Sequence, residues 1–217
     1  LRRPATPVHS GGAAPPRAAP DRDAGNHHAS LPDGSTPMAR TIPVPAGSNT
    51  VNPFLITDRA SDLIAFLVEV FGAEEVPEAR TLDADGLVLH AELRIGDSLL
   101  TLADRKPGWP FTPALTCVYV ADAAPTLVHA VQCGAHVVTR PTPFFGDTLA
   151  RFQDPSGNLW WIQQHDPLAV TSWDDGAGTL EDAHGDGWAY SNPDLNEIHA
   201  TLMDAMARLR DPRTAPG

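Results

Sequence analysis

Phe152-Gln153-Asp154-Pro155-Ser156-Gly157-Asn158-Leu159-Trp160-Trp161-Ile162 is the stretch that decides the fold. A polar strand end runs into Asp-Pro-Ser-Gly-Asn, and each turn residue has a physical reason to be there. Pro155 pre-sets φ for the first turn position, Gly157 permits positive φ, and Asp154 and Asn158 can bond nearby backbone. An aromatic, apolar run follows at once. The segment therefore reads as a hairpin entering a buried strand.

Working outward, the residues before this hairpin repeat a pattern. Ala114–Val120 reads as a strand leading to Asp122, and Pro125–Cys133 as a helix stopped by Gly134. Ala135–Thr139 is a strand, and Asp147–Gln153 and Asn158–Gln163 form the hairpin. The same order occurs at a spacing of roughly 60 residues toward the N-terminus. Val51–Ile56 is a strand, with Asp58 or Ser61 as the cap of the next helix. Leu63, Ile64, Phe66, Leu67, Val70 and Phe71 recur at helical spacing up to Gly72. A short strand is expected near Glu75–Thr81, and Leu87–Ile95 and Ser98–Ala103 flank the turn Gly96-Asp97. Two β-α-β-β-β units result, residues 49–105 and 112–165. Each exposes one sheet face, so they must pair to make a core. The expected fold is α+β, one domain over residues 48–166.

The two ends have a different character. Residues 1–47 hold nine of the 22 prolines, five Arg against three Asp and no hydrophobic period, so they read as a disordered arm. Met38 stands just ahead of the ordered part, which makes the stretch before it a candidate start-site extension. Residues 167–217 begin as an acidic loop containing Asp174, Asp175, Glu181, Asp182 and Asp186, without the spacing of an EF-hand. Asn192-Pro193 then opens a helix, with Asn192 as N-cap and Pro193 at the first position. Its stripe of Ile198, Leu202, Met206 and Leu209 should pack on the main domain.

Net charge is −12, and the arm carries +2 of it, leaving −14 on the rest. So acidic a body should repel nucleic acid and anionic membranes. No run approaches the ~18 apolar residues of a membrane span, and Arg2-Arg3 has no apolar stretch behind it. Cys117 and Cys133 lie in apolar segments without Cys-x-x-Cys spacing and read as reduced thiols. These features point to a soluble cytoplasmic protein. Nucleophile-elbow, Walker and dinucleotide motifs are missing.

Phe71-Gly72-Ala73-Glu74, His90–Ser98, Leu102-Ala103-Asp104, Tyr119-Val120-Ala121-Asp122, Gly134-Ala135 and Asp154–Asn158, in this order, resemble the vicinal oxygen chelate superfamily. That group holds glyoxalases, extradiol dioxygenases, fosfomycin-modifying enzymes and bleomycin-binding proteins, and the PhnB-like members are the nearer look-alikes. The resemblance spans about residues 49–166. It implies paired units forming a cupped mixed sheet around a pocket, usually in a homodimer. It also implies where metal-dependent members place their ligands: at Val51 or Asn52, near Leu100 or Leu102, near Leu115 or Thr116, and at Trp161. None of these is His, Glu or Asp, the donors that catalytic divalent sites use.

Strand parity gives a reading of its own. Leu89, Ala91, Leu93 and Ile95 share one face of their strand, and His90, Glu92 and Arg94 share the other. Trp109, Phe111, Phe144 and Phe145 lie in loops beside strands and could wall a flat ligand, with Trp161 placed in the pocket by the resemblance. The leading reading is a metal-independent pocket, with no cofactor, for a small aromatic molecule, antibiotic sequestration being one form. Its contact residues are His90, Glu92, Arg94, Trp109, Phe111, Phe144, Phe145 and Trp161. The alternative is a metal-dependent lyase, isomerase or dioxygenase with a site displaced to His90 and Glu92. A third reading has no small ligand: the tail helix fills the cup or docks a partner.

Overall fold

The structure, a computed structural model, describes residues 44–169 and 192–214. The expected arm falls almost wholly outside these residues, as does the acidic segment with Trp173 and Trp188. The described chain forms the two expected units. The first runs β1 (Phe54–Thr57), α1 (Ala60–Phe71), β2 (Glu74–Glu75), a 3-10 turn at Pro77–Ala79, β3 (Thr81–Leu82), β4 (Val88–Ile95) and β5 (Ser98–Asp104). The second runs β6 (Leu115–Tyr119), α2 (Ala123–Gln132), β7 (His136–Phe144), β8 (Asp147–Gln153) and β9 (Leu159–Gln164). Helix α3 (Pro193–Arg208) follows. Among the described residues no helix is long and apolar enough to cross a membrane.

Each unit makes one mixed sheet. The first has the order β1-β5-β4-β2 with β3 also on β4, and the second the order β6-β9-β8-β7. In both, the first strand pairs in parallel with the last and, among the described residues, has no strand on its other edge. Both helices lie between the sheets. Leu63, Leu67 and Val70 of α1 share one core with Leu55, Ala91, Leu93 and Leu102 of the first sheet. Phe66 and Phe71 reach the second sheet, with ring centroids 5.9 Å and 6.1 Å from Phe152, and Phe71 also lies 5.4 Å from Trp160. The sheets are thus back to back across their helices, and the opposite face of each points outward.

The helix starts show where local signals act and where they do not. Asp122 and Asn192 cap α2 and α3, accepting from the N–H groups of Ala124 (3.2 Å) and Asp194 (2.9 Å). For α1, neither Asp58 nor Ser61 is the cap. Arg59 holds that position with φ 51, and the Ala60 N–H donates to Asp104 Oδ1 at 2.7 Å. Asp58 is engaged elsewhere, by Arg105. At its other end α1 stops at Gly72 with φ 63, a conformation that suits glycine.

One parity expectation also needs correcting. One step along β3 spans two along β4, Thr81 pairing with His90 and Leu82 with Val88. This is a bulge, and Leu89 is its extra residue. Val88 therefore turns into the core and Leu89 is 53% exposed. Ala91 and Leu93 are fully buried as expected, with Ile95 packed against them.

The opening hairpin is organised by one carboxylate. Buried Asp154 accepts from Ser156 N (2.8 Å), Asn158 N (3.0 Å), Asn158 Nδ2 (2.9 Å) and Trp160 Nε1 (2.8 Å). Gly157 has φ 91, and a Cβ there would lie 2.9 Å from Phe111 Cζ, so any other residue would be strained and would have to displace that ring.

Candidate functional site

The outward faces carry the chemistry. On the first sheet Phe54, Thr101 and Glu92 lie in one row across β1, β5 and β4. His90 Nε2 sits 3.3 Å from Glu92 Oε1, and the His90 ring is 6.4 Å from Phe54. A hydrogen-bonded imidazole and carboxylate can hold a polar group or move a proton. Arg94, on the same face, donates from Nη1 to Gly47 O at 2.8 Å.

On the second sheet Cys117, Trp161, Arg151 and Thr139 form a row across β6, β9, β8 and β7. The Arg151 guanidinium lies 4.0 Å from the Trp161 ring centroid, a stacked cation–π contact. Its Nη1 donates to Thr139 Oγ1 (3.2 Å) and to Ile198 O (2.7 Å) of α3. Thr139 Oγ1 in turn shares a 2.7 Å hydrogen bond with Thr201 Oγ1. Helix α3 therefore docks on the outward face of this sheet, over β7, as its apolar stripe predicts. Ile198 is the buried member of that stripe, while Met206 is 49% exposed. Cys117 donates from Sγ to Gln163 Oε1 at 3.1 Å, and burial pushes its thiol up. Along the free edge of β6 runs a groove of about 380 Å³ lined by Val51, Pro53, Leu99, Leu100, Cys117 and Tyr119.

The remaining expected residues are spread out. Phe144 and Phe145 meet edge to face at 5.0 Å at the tip of the β7–β8 hairpin. Trp109 is half exposed in the link between the units. Phe111 packs on Gly157, with Arg105 5.6 Å above its ring. His90, Glu92 and Arg94 lie on one sheet and Trp161 on the other, so the structure does not gather the set on one surface.

The positions assigned by resemblance to metal ligands also separate. Val51 and Asn52 precede β1, where Asn52 Oδ1 accepts from Asn49 N at 3.0 Å. Leu100 and Leu102 are buried against the helices, so the outward residues of β5 are Leu99, Thr101 and Ala103. Leu115 and Trp161 do face outward, whereas Thr116 has the opposite parity. Among the described residues no three His, Cys, Asp or Glu side chains come together as a metal-binding group.

Two groups escaped the sequence reading. Arg151 shares a face of β8 with Leu149 and Gln153, opposite Ala150 and Phe152, and that parity is the available signal. Arg105 joins Asp58, Asp211 and Arg213, residues far apart in the chain, and no local signal points to it. Its guanidinium, 2% exposed, donates to Asp58 (3.1 and 2.8 Å) and to Asp211 (2.9 and 2.7 Å). Arg213 adds a 2.6 Å ion pair to Asp58.

The family model for the Glyoxalase/Bleomycin resistance protein/Dioxygenase superfamily matches residues 49–162, just over half of the chain. The chain belongs to this superfamily. The match spans both β-α-β-β-β units and stops at the strand that carries Trp161. The chain is similar to the crystal structure of TioX from Micromonospora sp. ML1, at 24% identity and TM-score 0.43, covering 54% of this chain and 96% of that one. It is also similar to PA1353 from Pseudomonas aeruginosa, at 20% identity and TM-score 0.46, covering 54% and 98%. A third is the fosfomycin resistance protein FosX from Mesorhizobium loti, at 16% identity and TM-score 0.40, covering 55% and 93%. No curated protein matches the chain.

Proposed function

We propose that this superfamily member binds a small aromatic molecule without a divalent metal, in a pocket shared by two copies of the chain. The observation that carries the reading is Trp161. It stands on the outward face of the second sheet, at the position where the resemblance puts the last metal-binding carboxylate, and an indole offers a stacking surface instead of a ligand atom. His90 and Glu92 on the first sheet would fix orientation by charge-assisted bonds.

The second copy is argued from the back-to-back packing. The helices occupy the space between the sheets, so one chain presents two separated half-cups. The free edges of β1 and β6 and the exposed Phe54, Leu115 and Tyr119 are the surfaces a twofold-related copy would cover. We further place the chain among the PhnB-like members, on Phe71-Gly72-Ala73-Glu74 and the Asp154–Asn158 turn, and in the cytoplasm, on two free thiols. Antibiotic sequestration is one activity such a pocket would serve.

The displaced-metal alternative has two donors in place, His90 and Glu92. Elemental mass spectrometry after incubation with Zn, Ni, Mn and Fe(II) separates the readings: we expect no stoichiometric metal, and one metal per chain lost in His90→Ala would reverse the conclusion. Sedimentation should give a dimer mass. Aromatic ligands that quench tryptophan fluorescence should bind Trp161→Ala at least tenfold more weakly, about 1.4 kcal/mol. Unchanged affinity in that variant would remove Trp161 from the site.

A further inference from the structure

We propose that Arg151 and Trp161 form an anchor for a carboxylate, so that the bound small molecule is an organic acid held by the guanidinium fork on the outward face of the second sheet. The inference rests on the pocket reading above and names its ligand class.

Arg151 is 2% exposed and meets no carboxylate among the described residues. A cation taken out of water in this way requires a partner, because apolar surroundings disfavour its charge. Among the described residues, neutral acceptors serve one corner of it, Thr139 Oγ1 and Ile198 O on Nη1. Its Nε is buried with no hydrogen-bond partner among the described residues, and so is Trp161 Nε1. Buried donors are nearly always satisfied, so two orphans on stacked neighbours indicate a missing acceptor. A carboxylate matches these donors in charge and geometry, since it takes the paired N–H groups of a guanidinium edge side by side. Burial lowers the Arg151 pKa to about 10, which still leaves it charged at neutral pH and able to bind an anion. The planar guanidinium on the indole face keeps that fork from rotating.

The test uses the full chain and two acid–amide pairs: benzoate with benzamide, and indole-3-acetate with indole-3-acetamide, by titration calorimetry. The acids should bind at least tenfold more tightly than their amides. Arg151→Met should abolish the difference and, without ligand, melt no lower than the parent, because it removes an unpaired buried charge. If that variant does not fold, Arg151→Lys and Trp161→Phe take its place. Each should cut acid affinity more than amide affinity, the first by losing the fork and the second the indole N–H. Acids and amides binding alike, or an acid preference surviving in both Arg151 variants, overturns the anchor and leaves the aromatic pocket standing. Failure of all four compounds to bind overturns both. Replacing Asp174, Asp175, Glu181, Asp182 and Asp186 by Asn or Gln should leave acid affinity unchanged. A tenfold gain would assign the anchor to the chain's own carboxylates and overturn a free ligand.

Discussion

Asp154 shows how much one side chain can settle. Its carboxylate takes four N–H donors, from two turn residues and from the indole that heads the last strand. Burial pushes its pKa up, against the pull of those donors. Asp154→Asn turns an acceptor into a partial donor facing N–H groups, and should cost on the order of 2–3 kcal/mol, read as a lower urea midpoint with an unchanged slope. A midpoint equal to the parent's would mean the donors find other acceptors. This turn was legible in the sequence because its interactions are local. Parity alone puts Trp160 and Trp161 on opposite faces of one strand, and the resemblance, not a local signal, says which of them faces inward. Arg151 was not legible, because an arginine in a strand is ordinarily solvated, and it is the Trp161 ring and the docked α3 that pack against this one.

At the level of elements, the informative object is α3 together with residues 209–214. One end rests on the second sheet through Ile198 and Thr201, and the chain beyond it is held to the first unit through Asp211, Arg213, Asp58 and Arg105. The helix and its cap were readable from Asn192-Pro193, but its seat was not, since pairs such as Arg105 and Asp211 are brought together only by the tertiary fold. The hydrogen bond from Arg105 holds the Asp211 carboxyl below the ordinary range, and Asp211 raises Arg105 in return. A carboxyl depressed in the folded chain contributes stability above its unfolded value of 3.8 and loses that contribution as pH falls through the folded value. Acid should therefore release this segment before the sheets open. Asp211→Asn should release it at neutral pH, seen as faster amide exchange over residues 193–214 with the strands unchanged. Exchange rising equally in β8 and β9 would show instead that the segment and the core open as one.

Across the whole molecule, the two units are joined through α1. Phe66 and Phe71 leave their own sheet and pack on Phe152 and Trp160 of the other. Phe66→Ala should cost about 3–5 kcal/mol, and because one core serves both units, the variant should still unfold in a single transition by fluorescence and circular dichroism. Two separated transitions would show that the units are independent. The internal repeat made the units legible, since each announces itself by helix period, strand parity and turn residues. Which faces meet was not legible, because both faces of a repeat carry apolar residues, and only the seating of Phe66 and Phe71 decides between them. The carboxylate of Asp104 adds a constraint in time. It accepts from the first N–H of α1 and, at 2.7 Å, from Val88 N at the start of β4. Helices α2 and α3 carry their caps beside them in the sequence, Asp122 and Asn192. Helix α1 must wait for β5, which leaves the ribosome more than thirty residues later, so α1 is built to gain its cap only after the strand that ends in Asp104 has arrived.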